Sequence, residues 1–166
     1  MDELARRLAA LTFTGLTQDE VTGRIIDEVA AWGLANRWRV YRRAPSVVPL
    51  PPPLDRQHSV VDVALARPAA PPIVVEVDHT DRRRTVEKLL AEAAAGRVAV
   101  WVRWGPGRIA EPPAPIHLIA LPVTRAQGRY SRHTGPDRPA PTHSGVAPGA
   151  AEVAELPLPR PDERSL

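Results

Sequence analysis

PIVVEVDHTDRRRTVEKLL, residues 72–90, opens as a buried β-strand, carries acids at Glu76 and Asp78, and passes through His79 into a helical pattern. Residues two apart in an extended chain share a face and lie roughly 6.6 Å apart, so both carboxylates project together from the strand end. Like charges held that close require a cation, a shared proton or open water. The helix that follows spans about 81–95, with Val86, Leu89, Leu90 and Ala93 as its packing stripe and Gly96 at the position where a C-terminal glycine belongs.

Upstream, SVVDVALA (59–66) reads as a strand joined to PPIVVEVD (71–78) by a short Pro/Ala connection that suits an antiparallel hairpin. RWRVYRR (37–43) reads as an earlier strand, and the proline-rich APSVVPLPPPLDRQ after it as a loop or edge excursion. Thr17 opens a helix, TQDEVTGRIIDEVAAWG, where the Thr cap and Glu20 three residues on meet the capping-box spacing. Its stripe is Val21, Ile25, Val29 and Trp32, with Gly33 and Asn36 closing it. A shorter amphipathic pattern (Leu4, Leu8, Leu11) precedes it and must pack on something to persist.

Downstream come RVAVWVRW and IHLIALP as further strands. Trp101 and Trp104 stand at odd separation in the first of these and so lie on opposite faces, and Trp32 and Trp38 read as packing residues. The expected organisation is a short helix over 1–16, an α/β domain with a mixed central sheet flanked by helices over 17–123, and a disordered Pro/Gly-rich tail over 124–166.

A chain of 166 residues with 43% hydrophobic and 25% charged content can bury one real core. Cysteine is absent, which excludes disulfides, thiolate metal sites and a thiol nucleophile. No run reaches the roughly eighteen apolar residues of a membrane span, and MDELARRLAALTF lacks a signal-peptide pattern, so a cytoplasmic location without membrane attachment is expected. The positive charge is almost entirely arginine, which is compatible with a nucleic-acid partner but also with a GC-rich genome. G-x-S-x-G, P-loop, H-E-x-x-H and G-x-G-x-x-G patterns do not occur, and the five histidines are scattered.

The order helix, strand, strand, strand, helix, strand resembles the PD-(D/E)XK nuclease-like (restriction-endonuclease-like) fold. More narrowly, it is similar to the very-short-patch-repair-like branch of that fold. The pieces that carry the resemblance are Glu20 in TQDEV, Asp62 in VVDVALA, Glu76 and Asp78 in VVEVDH, and GRVAVWVRW, over about residues 17–123. It implies a Mg²⁺- or Mn²⁺-dependent endonuclease acting on DNA. In that reading Asp62 and Glu76 hold the ion, Asp78 extends the metal shell, Glu20 is an outer ligand or general base, and Arg82, Arg83 and Arg84 contact phosphate. A hard divalent cation on oxygen ligands suits the chemistry, since it neutralises phosphate charge and deprotonates water near neutral pH.

The chain departs from the family pattern at Asp78, where the family's name places a lysine. The replacement cation is sought among Lys88, Arg82, Arg83 and His79. At about 100° per residue Lys88 falls nearly opposite Val86 and Leu90, which favours solvent, yet it is the chain's one lysine, and lysine, unlike arginine, can give up its proton. Each residue also has a plainer reading: Asp62 as an edge-strand charge, Glu76 and Asp78 as a solvated strand end, Glu20 as a cap alone, His79 as a turn residue, the arginine run as a solvated helix start. The rival function is a catalytically silent module of the same fold that binds nucleic acid or protein. A weaker one is an adaptor that recruits partners, or a second copy, through its tail.

Overall fold

The computed structural model describes residues 1–133. Residues 134–166, the greater part of the expected disordered tail, lie outside the described residues. The fold is α/β, built on a mixed five-stranded sheet in the order β2-β3-β4-β5-β6, with strands Arg39–Pro49, His58–Ala66, Ile73–Asp78, Val98–Gly105 and His117–Pro122. β3 runs antiparallel to both β2 and β4, and β4, β5 and β6 run parallel. Helices α1 (Asp2–Ala9) and α2 (Gln18–Ala35) cover one face, and α3 (Arg83–Ala94) covers the other.

Strand alternation divides the core between the two faces. Ile73, Val75 and Val77 of β4 pack with Val100, Val102 and Trp104 of β5 on the α2 side, whereas Val74, Ala99 and Trp101 pack under α3. The two tryptophans of β5 therefore serve opposite cores, as their odd spacing requires, and both are buried. Leu4 and Leu8 of α1 join the α2-side cluster, so the N-terminal helix belongs to the main core rather than standing apart. α1 is also tied to α2 by Arg7 Nε on Glu28 Oε1 at 2.7 Å.

The capping box at Thr17 forms as its spacing predicts, and Val21, Ile25, Val29 and Trp32 are all buried. Gly33 does a different job from the one expected of it. The helix continues through it to an Asn36 cap, and a Cβ at Gly33 would lie 2.6 Å from Leu65 Cδ2 and 2.8 Å from Val40 Cγ2. Its missing side chain lets α2 settle against β2 and β3.

The proline-rich segment after Arg43 extends β2 as far as Pro49, which is tolerated because β2 is the sheet edge. What holds it there is Glu92 of α3, fully buried: it accepts hydrogen bonds from the Val47 N–H (2.8 Å) and Ser46 Oγ, and Arg97 Nη1 pairs with its other oxygen at 2.7 Å.

A second, three-stranded sheet in the order β1-β8-β7 corrects the expected tail boundary. Its strands are β1 (Phe13–Leu16), β7 (Thr124–Ala126) and β8 (Arg129–Arg132), so residues 124–132 are ordered rather than tail. The cause is Tyr130, which is buried against Trp104 and His79 with ring centroids 5.1 and 5.0 Å away. Polar, glycine-containing sequence hides this one anchor. Among the described residues no helix is long and apolar enough to cross a membrane. Replacing Tyr130 by Ala should cost about 3–5 kcal/mol in urea unfolding, as for other buried aromatics. A loss below about 1 kcal/mol would show that 129–132 is not part of the core.

Candidate functional site

The ladder between β3 and β4 ends at Val63↔Val75, while β4 stays paired with β5 through Asp78↔Arg103. Beyond Val75 the sheet therefore parts on one side. Two neighbouring strands rotate there together. Arg43 adopts φ 51°, and either side of it Val40 packs toward α2 but Ala44 toward α3. On β3, Val63 packs toward α2 and Val61 toward α3, so Asp62 stands at the turn of the strand. Its Oδ2 accepts the Val77 N–H at 2.8 Å, replacing the carbonyl that a continuing ladder would have supplied.

The parting leaves a polar cleft of about 340 Å³. Asp62, Glu76, Asp78 and His79 line it from the strands, Arg82, Arg84, Thr85 and Lys88 from α3, and Gln18, Asp19 and Thr22 from the first turns of α2. Glu76 is buried in its wall, and Lys88 Nζ forms an ion pair with its Oε1. The same Nζ donates to the Val60 carbonyl at 2.6 Å.

Lys88 thus points inward, against the wheel reading. The inward face of α3 runs through Thr85, Lys88, Leu89 and Glu92 and is largely polar. An apolar stripe misplaces it because Lys88 and Glu92 find buried partners on the sheet, Glu76 and Ser46.

Glu20 does not line the cleft. It is exposed, and its Oε2 accepts from both the Thr17 N–H (2.7 Å) and Thr17 Oγ1 (2.8 Å), bonds that hold its carboxyl below the usual range. The capping box that makes Glu20 conspicuous also consumes it. Asp19, one residue earlier, is the α2 acid that lines the cleft.

Asp78 lines the cleft with Oδ2 accepting from Trp101 Nε1 at 3.0 Å and Oδ1 3.5 Å from Arg82 Nε. His79 packs on Trp104 with centroids 4.4 Å apart, and its Nε2 meets the Tyr130 hydroxyl at 3.0 Å. It is held by an aromatic cage instead of standing in a free turn. The arginine run divides: Arg83 is exposed and pairs with Glu87 on its own helix, whereas Arg82 and Arg84 line the cleft.

Burial dominates the electrostatics. It raises the Asp62 carboxyl, opposed by the Val77 hydrogen bond and reinforced by Asp78. It pushes Glu76 up to about 7, against the pull of Lys88 and with repulsion from Asp62 and Asp78. Burial lowers His79, with Arg103 and Arg125 adding to the effect. Among the described residues no set of three or more His, Cys, Asp or Glu side chains is arranged to hold a metal ion. Of the three acids expected in a metal shell, Asp78 has one oxygen on the Trp101 indole, Asp62 has one on the Val77 N–H, and Glu76 faces Lys88.

The chain matches no family model, no curated protein and no solved structure.

Glu76 binds its proton more tightly folded, at about 7, than at the ordinary 4.5. Its contribution to stability is complete below that ordinary value and is lost as pH rises through 7. In chelating buffer the loss should be about 3 kcal/mol across this window. Urea unfolding from about pH 5 to about pH 8 should show a shallower pH dependence for Glu76→Gln, and equal slopes would remove this assignment.

Proposed function

We propose that the protein is a metal-dependent nuclease-like enzyme of restriction-endonuclease-like architecture that hydrolyses DNA phosphodiester bonds. The observation that carries this reading is the convergence of Asp62, Glu76 and Lys88 in one cleft at the parted end of β4. Strand position 78 holds an acid where the family pattern has lysine, and α3 returns a lysine to the strand end from its own inward face.

The donor set suits Mg²⁺, which prefers oxygen ligands, keeps several waters and is commonly held by one or two carboxylates plus substrate phosphate. Asp62 and Glu76 would hold it, with the Val77 carbonyl nearby in the cleft wall. Once bound, such an ion supplies charge neutralisation at the phosphate and a more acidic water. Glu76 Oε1 is buried with no directed hydrogen-bond donor, so Lys88 is its one compensating charge among the described residues.

Lys88 has three N–H donors; Val60 takes one and Glu76 is paired with the group, which leaves a donor for negative charge developing on the substrate. Asp62, anchored on the Val77 N–H, keeps its second oxygen toward the cleft. Arg82 and Arg84 at the mouth suit backbone phosphates.

One observation favours the silent-module alternative: the Lys88 ammonium already balances Glu76 without an ion. A thermal melt separates the two readings. Saturating Mg²⁺ should raise the melting temperature, by about 2.7 kcal/mol of stabilisation at a hundredfold excess over Kd, and Asp62→Ala should lose the response while staying folded. Glu76→Ala should abolish DNA cleavage, and Lys88→Met should lower the single-turnover rate with DNA binding nearly intact. A melt indifferent to Mg²⁺ and Mn²⁺ supports the silent module.

A further inference from the structure

We propose that Asp78 is a positioning residue, not a metal ligand: it holds the Arg82 guanidinium at the rim of the cleft to grip a nucleic-acid phosphate beside the one cleaved. This rests on the nuclease reading above.

Asp78 is the last residue of β4 and only 8% exposed. A carboxylate buried there needs partners for both oxygens, and the two it has are an indole and a guanidinium. Oδ2 is taken by the indole N–H of Trp101, a residue that is itself buried under α3 and is the register partner of Glu76. Oδ1 is left facing Arg82 Nε at 3.5 Å. The indole thus sets the carboxylate, and the carboxylate lies within ion-pair distance of the guanidinium.

The backbone between them is clamped as well. Arg103, on the adjacent strand and 5% exposed, donates Nη1 to the Asp78 carbonyl (2.9 Å) and to the Trp104 carbonyl (3.2 Å), and Nε to Asp81 Oδ1 (2.7 Å). Residues 78–82 are therefore a rigid turn, with Arg82 as the N-cap of α3.

Arg82 is engaged through Nε, so the terminal N–H donors of its fork are available to an oxyanion, and it lines the same cleft as Asp62, Glu76 and Lys88. Arg83 offers the contrast: it pairs within its own helix and does not line the cleft. Of the arginine run, Arg82 is the one whose direction is set by a buried acid.

The test uses the full chain with duplex DNA, comparing D78N, R82Q, the double variant, W101F and Asp62→Asn. D78N and R82Q should each weaken binding roughly tenfold and each reduce the salt slope by about 0.9, one phosphate contact. The double variant should bind no more weakly than R82Q, and in cleavage the loss should fall on KM. D78N should keep the Mg²⁺-induced rise in melting temperature that Asp62→Asn loses. W101F keeps an aromatic ring in the core while removing the indole N–H, so it should reproduce the lowered slope even where D78N folds poorly. Loss of the Mg²⁺ response in D78N, additive effects of D78N and R82Q, or parental binding by W101F would each overturn the proposal. A parent chain that neither binds DNA nor responds to Mg²⁺ would instead sink the nuclease reading, and this proposal with it.

Discussion

A carboxylate buried at a strand end must find a cation or keep its proton, and the pairing of Glu76 with Lys88 answers that demand. The rest of the cleft is arranged around it. Lys88 reaches the sheet only because α3 lies flat across β2, β4 and β5, and α3 lies there because Leu89 and Glu92 are anchored beneath it. Its ammonium also binds the Val60 carbonyl, on the strand that has swung away from β4. One side chain thus bridges the two edges of the parting.

The parting is itself a backbone event. A ladder that ends at Val75 exposes the Val77 N–H, and an unpaired buried donor costs about 1–3 kcal/mol. Asp62 removes that cost and is brought to the cleft by doing so. The rotation at Arg43 and Asp62, which carries the far half of β2 and β3 under α3, supplies the room. Structural and chemical roles coincide in Asp62. In Asp78 and Glu20 they diverge: both acids stand where a site residue was expected, but Glu20 is held by its own capping box and Asp78 by the indole of the neighbouring strand.

Much of this was legible in residues 72–90. The apolar strand β4, its hairpin with β3, the helix after it and a further strand at β5 follow from apolar runs, turn residues and a helical period, whereas the parallel pairing of β4 with β5 does not. Asp62 and Glu76 were legible as acids interrupting apolar strands. The direction of Lys88 was not, because a wheel drawn on apolar residues assumes that charge faces water, and here the inward stripe includes Thr85, Lys88 and Glu92. β7 and β8 were not, because a single buried tyrosine organises otherwise polar sequence.

The sequence by itself determined the local periods, the Thr17 cap, the opposite placement of Trp101 and Trp104, and the presence of acids at the end of one strand. These depend on neighbours within a few residues, which the chain carries along its length. Which acid faces which cation was decided only in the tertiary structure. Glu76 meets a lysine from the next helix, Asp78 an indole from the next strand, and His79 a tyrosine 51 residues away. A buried charge is stabilised by whatever lies within a few ångströms of it, and that distance is set by how layers pack rather than by the order of residues.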